Sequence, residues 1–162
     1  IAIGSAHNDG AGLQAGAVYV WFGESLEIGG DKGLGEADII ISGAAAGDYA
    51  GMSVAAAGDV DGDGQADMII GAPENDWWAD TGSNSGMAYL FFGSTLAGST
   101  ASYDLGAYEY DYAFAGHDSH KMGHAVVGAG DLNNDGFDDL AFGGPGYGSS
   151  KGWIHFKFSE AE

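Results

Sequence analysis

Cysteine is absent from this 162-residue chain, so it can build no disulfide framework, thiolate zinc site or cysteine nucleophile. Basic residues are scarce too: 4 Lys and Arg stand against 24 Asp and Glu, giving a formal net charge of −20. A charge of that size repels polyanions from nearly every face, which excludes nucleic-acid binding and electrostatic docking on anionic lipid. Apolar runs are short, Ala17 to Phe22 being among the longest, and no charged-then-apolar leader opens the chain, so no membrane insertion is expected. Phosphate-loop and H-E-x-x-H patterns are missing. Proline occurs twice, whereas glycine occurs 31 times, spread between short apolar runs. That pattern calls for many tight turns between short strands and leaves no stretch for a long helix. With 45% hydrophobic residues the chain can still build a core of ordinary domain size.

The chain repeats itself. "IAIG" (1–4) aligns with "MIIG" (68–71) and "LAFG" (140–143), so the glycines stand at 4, 71 and 143 and the period is about 70 residues. Other elements follow the same period: "GAVYVWFG" (16–23) with "GMAYLFFG" (86–93) and "GWIHFKF" (152–158), and "ADIIISG" (37–43) with "YDYAFAG" (110–116). Each unit holds four candidate strands, in the first full copy roughly 37–42, 52–57, 66–71 and 86–92. Four short strands per unit is the content of a propeller blade. The expected class is therefore all-β, built of four-stranded antiparallel blades. We delimit a partial first blade at 1–33, a complete blade at 34–104 and another at 105–162, about two and a third repeats. Such a stack would leave a hydrophobic face open at each end. The chain thus reads as a segment of a longer propeller, or as a protomer that completes a propeller or fibre with other copies.

Within "GDVDGDGQADMIIGAP" (58–73), carboxylates fall at alternate positions of a turn: Asp59, Asp61, Asp63 and, after Gln65, Asp67. Gln65 is placed to offer its backbone carbonyl. The copy at 130–145 supplies Asp131, Asn133, Asp135 and Asp139, with the Phe137 carbonyl in the matching place. Oxygen ligands without histidine or thiolate select calcium, giving two expected Ca²⁺ sites. An EF-hand is excluded because its twelfth position is Ile70 or Phe142, inside a strand, where a glutamate and a helix are needed. Without a cation these carboxylates repel one another and oppose folding; a bound cation reverses the sign.

Glycine, a short strand, G-D, the acidic loop, an apolar strand and G-A-P run from Gly51 to Pro73, and again, with Gly144 for alanine, from Gly123 to Pro145. This order resembles the FG-GAP repeats of the integrin alpha-subunit β-propeller and of related microbial surface and secreted proteins. The phenylalanine such repeats carry before the first glycine is Ala50 in one copy and Met122 in the other. The resemblance implies a non-catalytic, calcium-stabilised adhesion or assembly module at the cell surface or outside the cell. Its partners would be further blades, other copies, or an extracellular protein or glycan. Two alternatives stay open: a lectin-like propeller and an ancillary domain of a secreted lyase or hydrolase.

Trp77 and Trp78 follow "PEND" in a loop, where paired indoles can stack on a sugar or pack against a neighbouring blade or subunit. His117, His120 and His124, with Asp118 between, have the spacing of a zinc-binding helix face, but the segment reads as strand, loop and strand.

Overall fold

Strands form where short apolar runs lie between glycine turns, and they are shared among three sheets. The structure, a computed structural model, describes residues 1–26, 31–76, 84–117, 119–146, 152–157 and 159. The first sheet has the order β1 (Ala2–Ser5), β2 (Ala17–Val20), β3 (Ile39–Ser42), β7 (Tyr103–Asp104). The second runs β4 (Ser53–Gly58), β5 (Asp67–Ala72), β6 (Met87–Phe91), β8 (Tyr112–Ala115), and the third β9 (Ala125–Gly130), β10 (Asp139–Gly144), β11 (Trp153–Lys157). Every pairing is antiparallel except that of β7, whose two residues run parallel to β3 and cover its edge. Helix among the described residues is limited to short 3₁₀ turns and α1 (Gly93–Leu96). These are the short, mostly antiparallel sheets of β-propeller blades.

One expectation is corrected. The segment 37–42 does not join the sheet of 52–57, 66–71 and 86–92. Its strand β3 pairs with β2, Ala17 opposite Ser42 and Val20 opposite Ile39, while the second sheet is closed by β8, Met87 opposite Ala115. Units cut at 33 and 104 are therefore one strand out of phase with the hydrogen-bonded sheets. The ladder breaks in the crossing segment 43–52, which bonds to two sheets at once. Gly43 N–H donates to the Gly16 carbonyl (2.9 Å), Ala50 N–H to that of Ala15 (3.0 Å) and Gly51 N–H to that of Gly71 (3.0 Å). The next crossing repeats the pattern, Gly116 N–H to Gly86 (2.9 Å) and Met122 N–H to Ser85 (3.0 Å).

The middle sheet is buried on both sides, which is why β5 and β6 read as unbroken apolar runs. Alternation sends Met68, Ile70 and Ala72 against Val18, Val20, Ile39 and Ile41 of the first sheet. Ile69, Ala88 and Leu90 point the other way, against Leu140 and Phe142 of the third. The outer face of the third sheet is open, with Val127, Ile154 and Phe156 exposed, whereas on the first sheet Ile1 and Ile3 at the edge are exposed but Tyr19 and Trp21 beside them are buried.

The stacking distance is set by glycine. A Cβ added at Gly71 would overlap the Gly123 carbonyl oxygen and the Ser53 hydroxyl, and one at Gly4 would overlap the Gly51 carbonyl oxygen. Their partners Gly51 and Gly123 hold φ of +81° and +85°, a conformation L side chains rarely adopt. Gly71→Ala is expected to cost about 1–3 kcal/mol or more, because neither backbone can give way. Gly23→Ala, where a Cβ meets nothing within 4 Å, should change stability by no more than about 0.5 kcal/mol. Urea unfolding of the two variants checks this ordering.

Candidate metal centre

Each acidic loop joins the first two described strands of a complete β4-β5-type hairpin, and its backbone is tied down by its own carboxylates. In the first loop, between β4 and β5, Asp59 accepts from Gly62 N–H (2.8 Å) and Gly64 N–H (2.9 Å). Asp61 accepts from Asp63 N–H (3.1 Å), and Asp63 from Gln65 through its backbone (2.7 Å) and amide (3.1 Å). These are turns in which an aspartate bonds the backbone two residues on, and they bend the chain back over its side chains. Asp67, at the start of β5, is buried and accepts from Val60 N–H (2.8 Å) and Gly93 N–H (2.7 Å). Burial raises its pKa, with the Asp61 and Asp59 charges adding to the shift and the two N–H donors opposing it.

The outcome is convergence. One oxygen each from Asp59, Asp61 and Asp67 lies within 4.8 Å of the other two, and no other group of three His, Cys, Asp or Glu comes so close among the described residues. Asp63 stands outside this trio, engaged with Gln65. A cluster of acceptor oxygens on a turn rigidified by glycines is a donor set for a hard cation.

The second loop, between β9 and β10, repeats the bonding almost atom for atom. Asp131 accepts from Gly136 N–H (2.9 Å) and Asp135 N–H (3.0 Å), and Asn133 from Asp135 N–H (3.1 Å). Asp135 accepts from Phe137 N–H (3.0 Å), and buried Asp139 from Leu132 N–H (2.8 Å) and Ser159 N–H (3.0 Å). It differs in three contacts: Asp131 accepts from Asp135 N–H where Asp59 accepts from Gly62 N–H, Phe137 has no side-chain donor to match the Gln65 amide, and the Asn133 amide donates to Asp135 (2.8 Å) where the first loop has the carboxylate of Asp61.

Other candidates separate. His117 and His120 meet edge to face at 5.6 Å, and His120 stacks on Trp153 at 4.6 Å, whereas exposed His124 has no place in that contact. They gather no metal group among the described residues. Trp77, Trp78 and Asp118 lie outside the described residues.

One matched pair of structural carboxylates, Asp38 and Asp111, escaped the sequence reading. Asp38 accepts from Phe22 N–H (2.7 Å) and Ser25 Oγ (2.7 Å); Asp111 accepts from Phe92 N–H (2.7 Å) and Thr95 Oγ1 (2.8 Å). Each clamps the turn that follows the third strand of its repeat, and the Phe22 and Ser25 donors lower the Asp38 pKa. The signal was present in the aligned "ADIIISG" and "YDYAFAG", each with an aspartate before the strand. Asp48, 4% exposed, accepts from Asn75 Nδ2 (2.6 Å) and Ala45 N–H (3.0 Å) between the first and second sheets.

Short antiparallel sheets stacked face to face, with an acidic loop feeding a buried strand, define β-propeller blades. The FG-GAP repeat family matches residues 50–91 and 122–155. Integrin alpha-4 of Xenopus laevis is 30% identical over 149 residues, 88% of this chain and 12% of that protein. Integrin alpha pat-2 of Caenorhabditis elegans is 34% identical over 121 residues, covering 65% of this chain and 9% of the relative. Integrin alpha-M of Mus musculus is 32% identical over 97 residues, covering 60% and 8%. The chain belongs to the FG-GAP, integrin alpha-like family. It spans about a tenth of the length of these curated relatives.

Burial pushes the Asp48 carboxyl up to about 6 from 3.8, with the Asp76 charge adding to the shift and the two donors opposing it. An acid whose folded pKa is raised binds extra protons in the folded state, so its contribution is full below the unfolded value and is lost as pH rises through about 6. Asp48→Asn, which keeps an acceptor oxygen but cannot ionise, is therefore expected to gain stability relative to wild type as pH rises from about 4 to about 7. Urea midpoints at both pH values test this; a difference that stays flat would show that Asp48 titrates normally.

Proposed function

We propose that this chain is a calcium-stabilised, non-catalytic adhesion module that works outside the cell, its blades made rigid by a cation in each acidic loop. The observation that carries the reading is the convergence of Asp59, Asp61 and buried Asp67 within 4.8 Å, on a hydrogen-bond pattern that recurs at the second loop. In the first loop Asp59, Asp61, Asp63, Asp67 and the Gln65 carbonyl would hold the ion. In the second the set is Asp131, Asn133, Asp135, Asp139 and the Phe137 carbonyl. The ion supplies positive charge among carboxylates that otherwise repel, and two of them bring the formal net charge from −20 to −16. Sites of moderate affinity stay filled in millimolar extracellular calcium and empty in the cytosol, which supports an extracellular setting. No helix among the described residues is long and apolar enough to cross a membrane.

Adhesion is supported by the kinship with integrin alpha chains. The open apolar face around Ile154 and Phe156, and the exposed edge at Ile1 and Ile3, suit further sheets, supplied by other blades or other copies.

Calcium is expected to raise the unfolding temperature and chelation to lower it, with each filled site worth about 2.7 kcal/mol at a hundredfold excess over Kd. Calorimetric titration should count two ions, and Asp61→Asn with Asp63→Asn should remove one. A melting curve indifferent to calcium and to chelator would overturn the reading.

A further inference from the structure

The two acidic loops touch each other. Residues of the second loop that lie between its expected ligands grip the first loop at its first ligand. Asp138 carboxylate accepts from Asp59 N–H (2.8 Å), and Asp138 N–H donates to the Asp59 carbonyl (2.9 Å), a reciprocal pair spanning 79 residues of sequence. That carboxylate fills the space beside Gly58, where a Cβ would overlap it. One residue earlier, the Phe137 ring lies on Gly62 so closely that a Cβ there would overlap Cε1. Gly62 is also the residue whose N–H holds the Asp59 carboxylate in place.

Phe137 and Asp139 are ligand positions of the second loop, and Asp138 sits between them. A cation that fixes those two therefore also fixes Asp138 and the Phe137 ring. They in turn fix the backbone of Asp59 and the glycine that orients its carboxylate. The matching position in the first loop is Ala66, which has no carboxylate, so the device runs from the second loop to the first. We infer that Asp138 is a positioning residue coupling the two loops, so that calcium bound at the second loop raises the affinity of the first. By linkage, the first loop raises that of the second by the same factor. The inference rests on the calcium reading proposed above and adds cooperativity to it.

Calcium titration of the full chain by calorimetry tests this, with hydrogen exchange of the Asp59, Gly62 and Gly64 amides as a second readout. Wild type is expected to take up two ions with positive cooperativity. Disabling the second loop with Asp131→Asn and Asp135→Asn should weaken the first site by roughly 5- to 150-fold, the usual range of coupling between sites. Asp138→Ala, with all ligands kept, should abolish the cooperativity while still binding two ions, and should speed exchange at Gly62. Asp138→Asn, which retains an acceptor for Asp59 N–H, should restore most of the coupling and guards against loss of fold in the alanine variant. Independent sites in wild type, or a first-site affinity unmoved within twofold by the second-loop variant, would overturn the coupling and leave calcium binding intact. No uptake at all would instead overturn the calcium reading itself.

Discussion

The approach of one backbone to another at Gly4 and Gly51, and at Gly71 and Gly123, sets the distance at which the sheets stack, and the rest of the molecule is adjusted to it. At that spacing Ile70 and Met68 reach the valines and isoleucines of the first sheet while Ile69 reaches Leu140 and Phe142 of the third. The same spacing brings the second acidic loop close enough for Asp138 to reach Asp59. A side-chain carbon at any of these glycines would separate the sheets, thin both cores and pull the loops apart together.

Charge is the opposing constraint. A chain with formal net charge −20 crowds carboxylates where the sheets are joined, and it does so by giving nearly every loop carboxylate a backbone N–H. Those donors orient the oxygens but leave their repulsion in place, since N–H groups are dipoles and carry no net charge. The loops are thus shaped in advance while remaining electrostatically costly, a combination that makes a cation effective. The neutral Asn133 relieves part of the repulsion in the second loop through its bond to Asp135.

Much of this was legible in the sequence. The D-x-D-x-D spacing located both loops, because a turn that alternates side chains inward leaves a period of two in the chain, and β5 followed from an apolar run bounded by glycine and proline. What failed was phase. A repeat alignment carries a period but no origin, so it assigned 37–42 to the wrong sheet; only the ladder between β2 and β3 shows where one blade ends. Asp138 was hidden for a related reason: its counterpart is Ala66, so nothing in the repeat marked it as more than another acid in an acidic loop. Asp38 and Asp111 recur at matching positions, yet their role depends on turns 16 to 19 residues away, a distance no local pattern conveys.

The crossing segments have a mechanical meaning. Chain leaving β3 is bonded at Gly43 to the sheet it departs and at Gly51 to the sheet it enters, so the two ends of one short segment are anchored in neighbouring layers. Tension applied along the chain cannot peel one layer away before those anchors shear, and load is passed from each layer to the next through hydrogen bonds as well as through the covalent backbone. The place where the blades are stitched is also the place where a pull along the chain is carried.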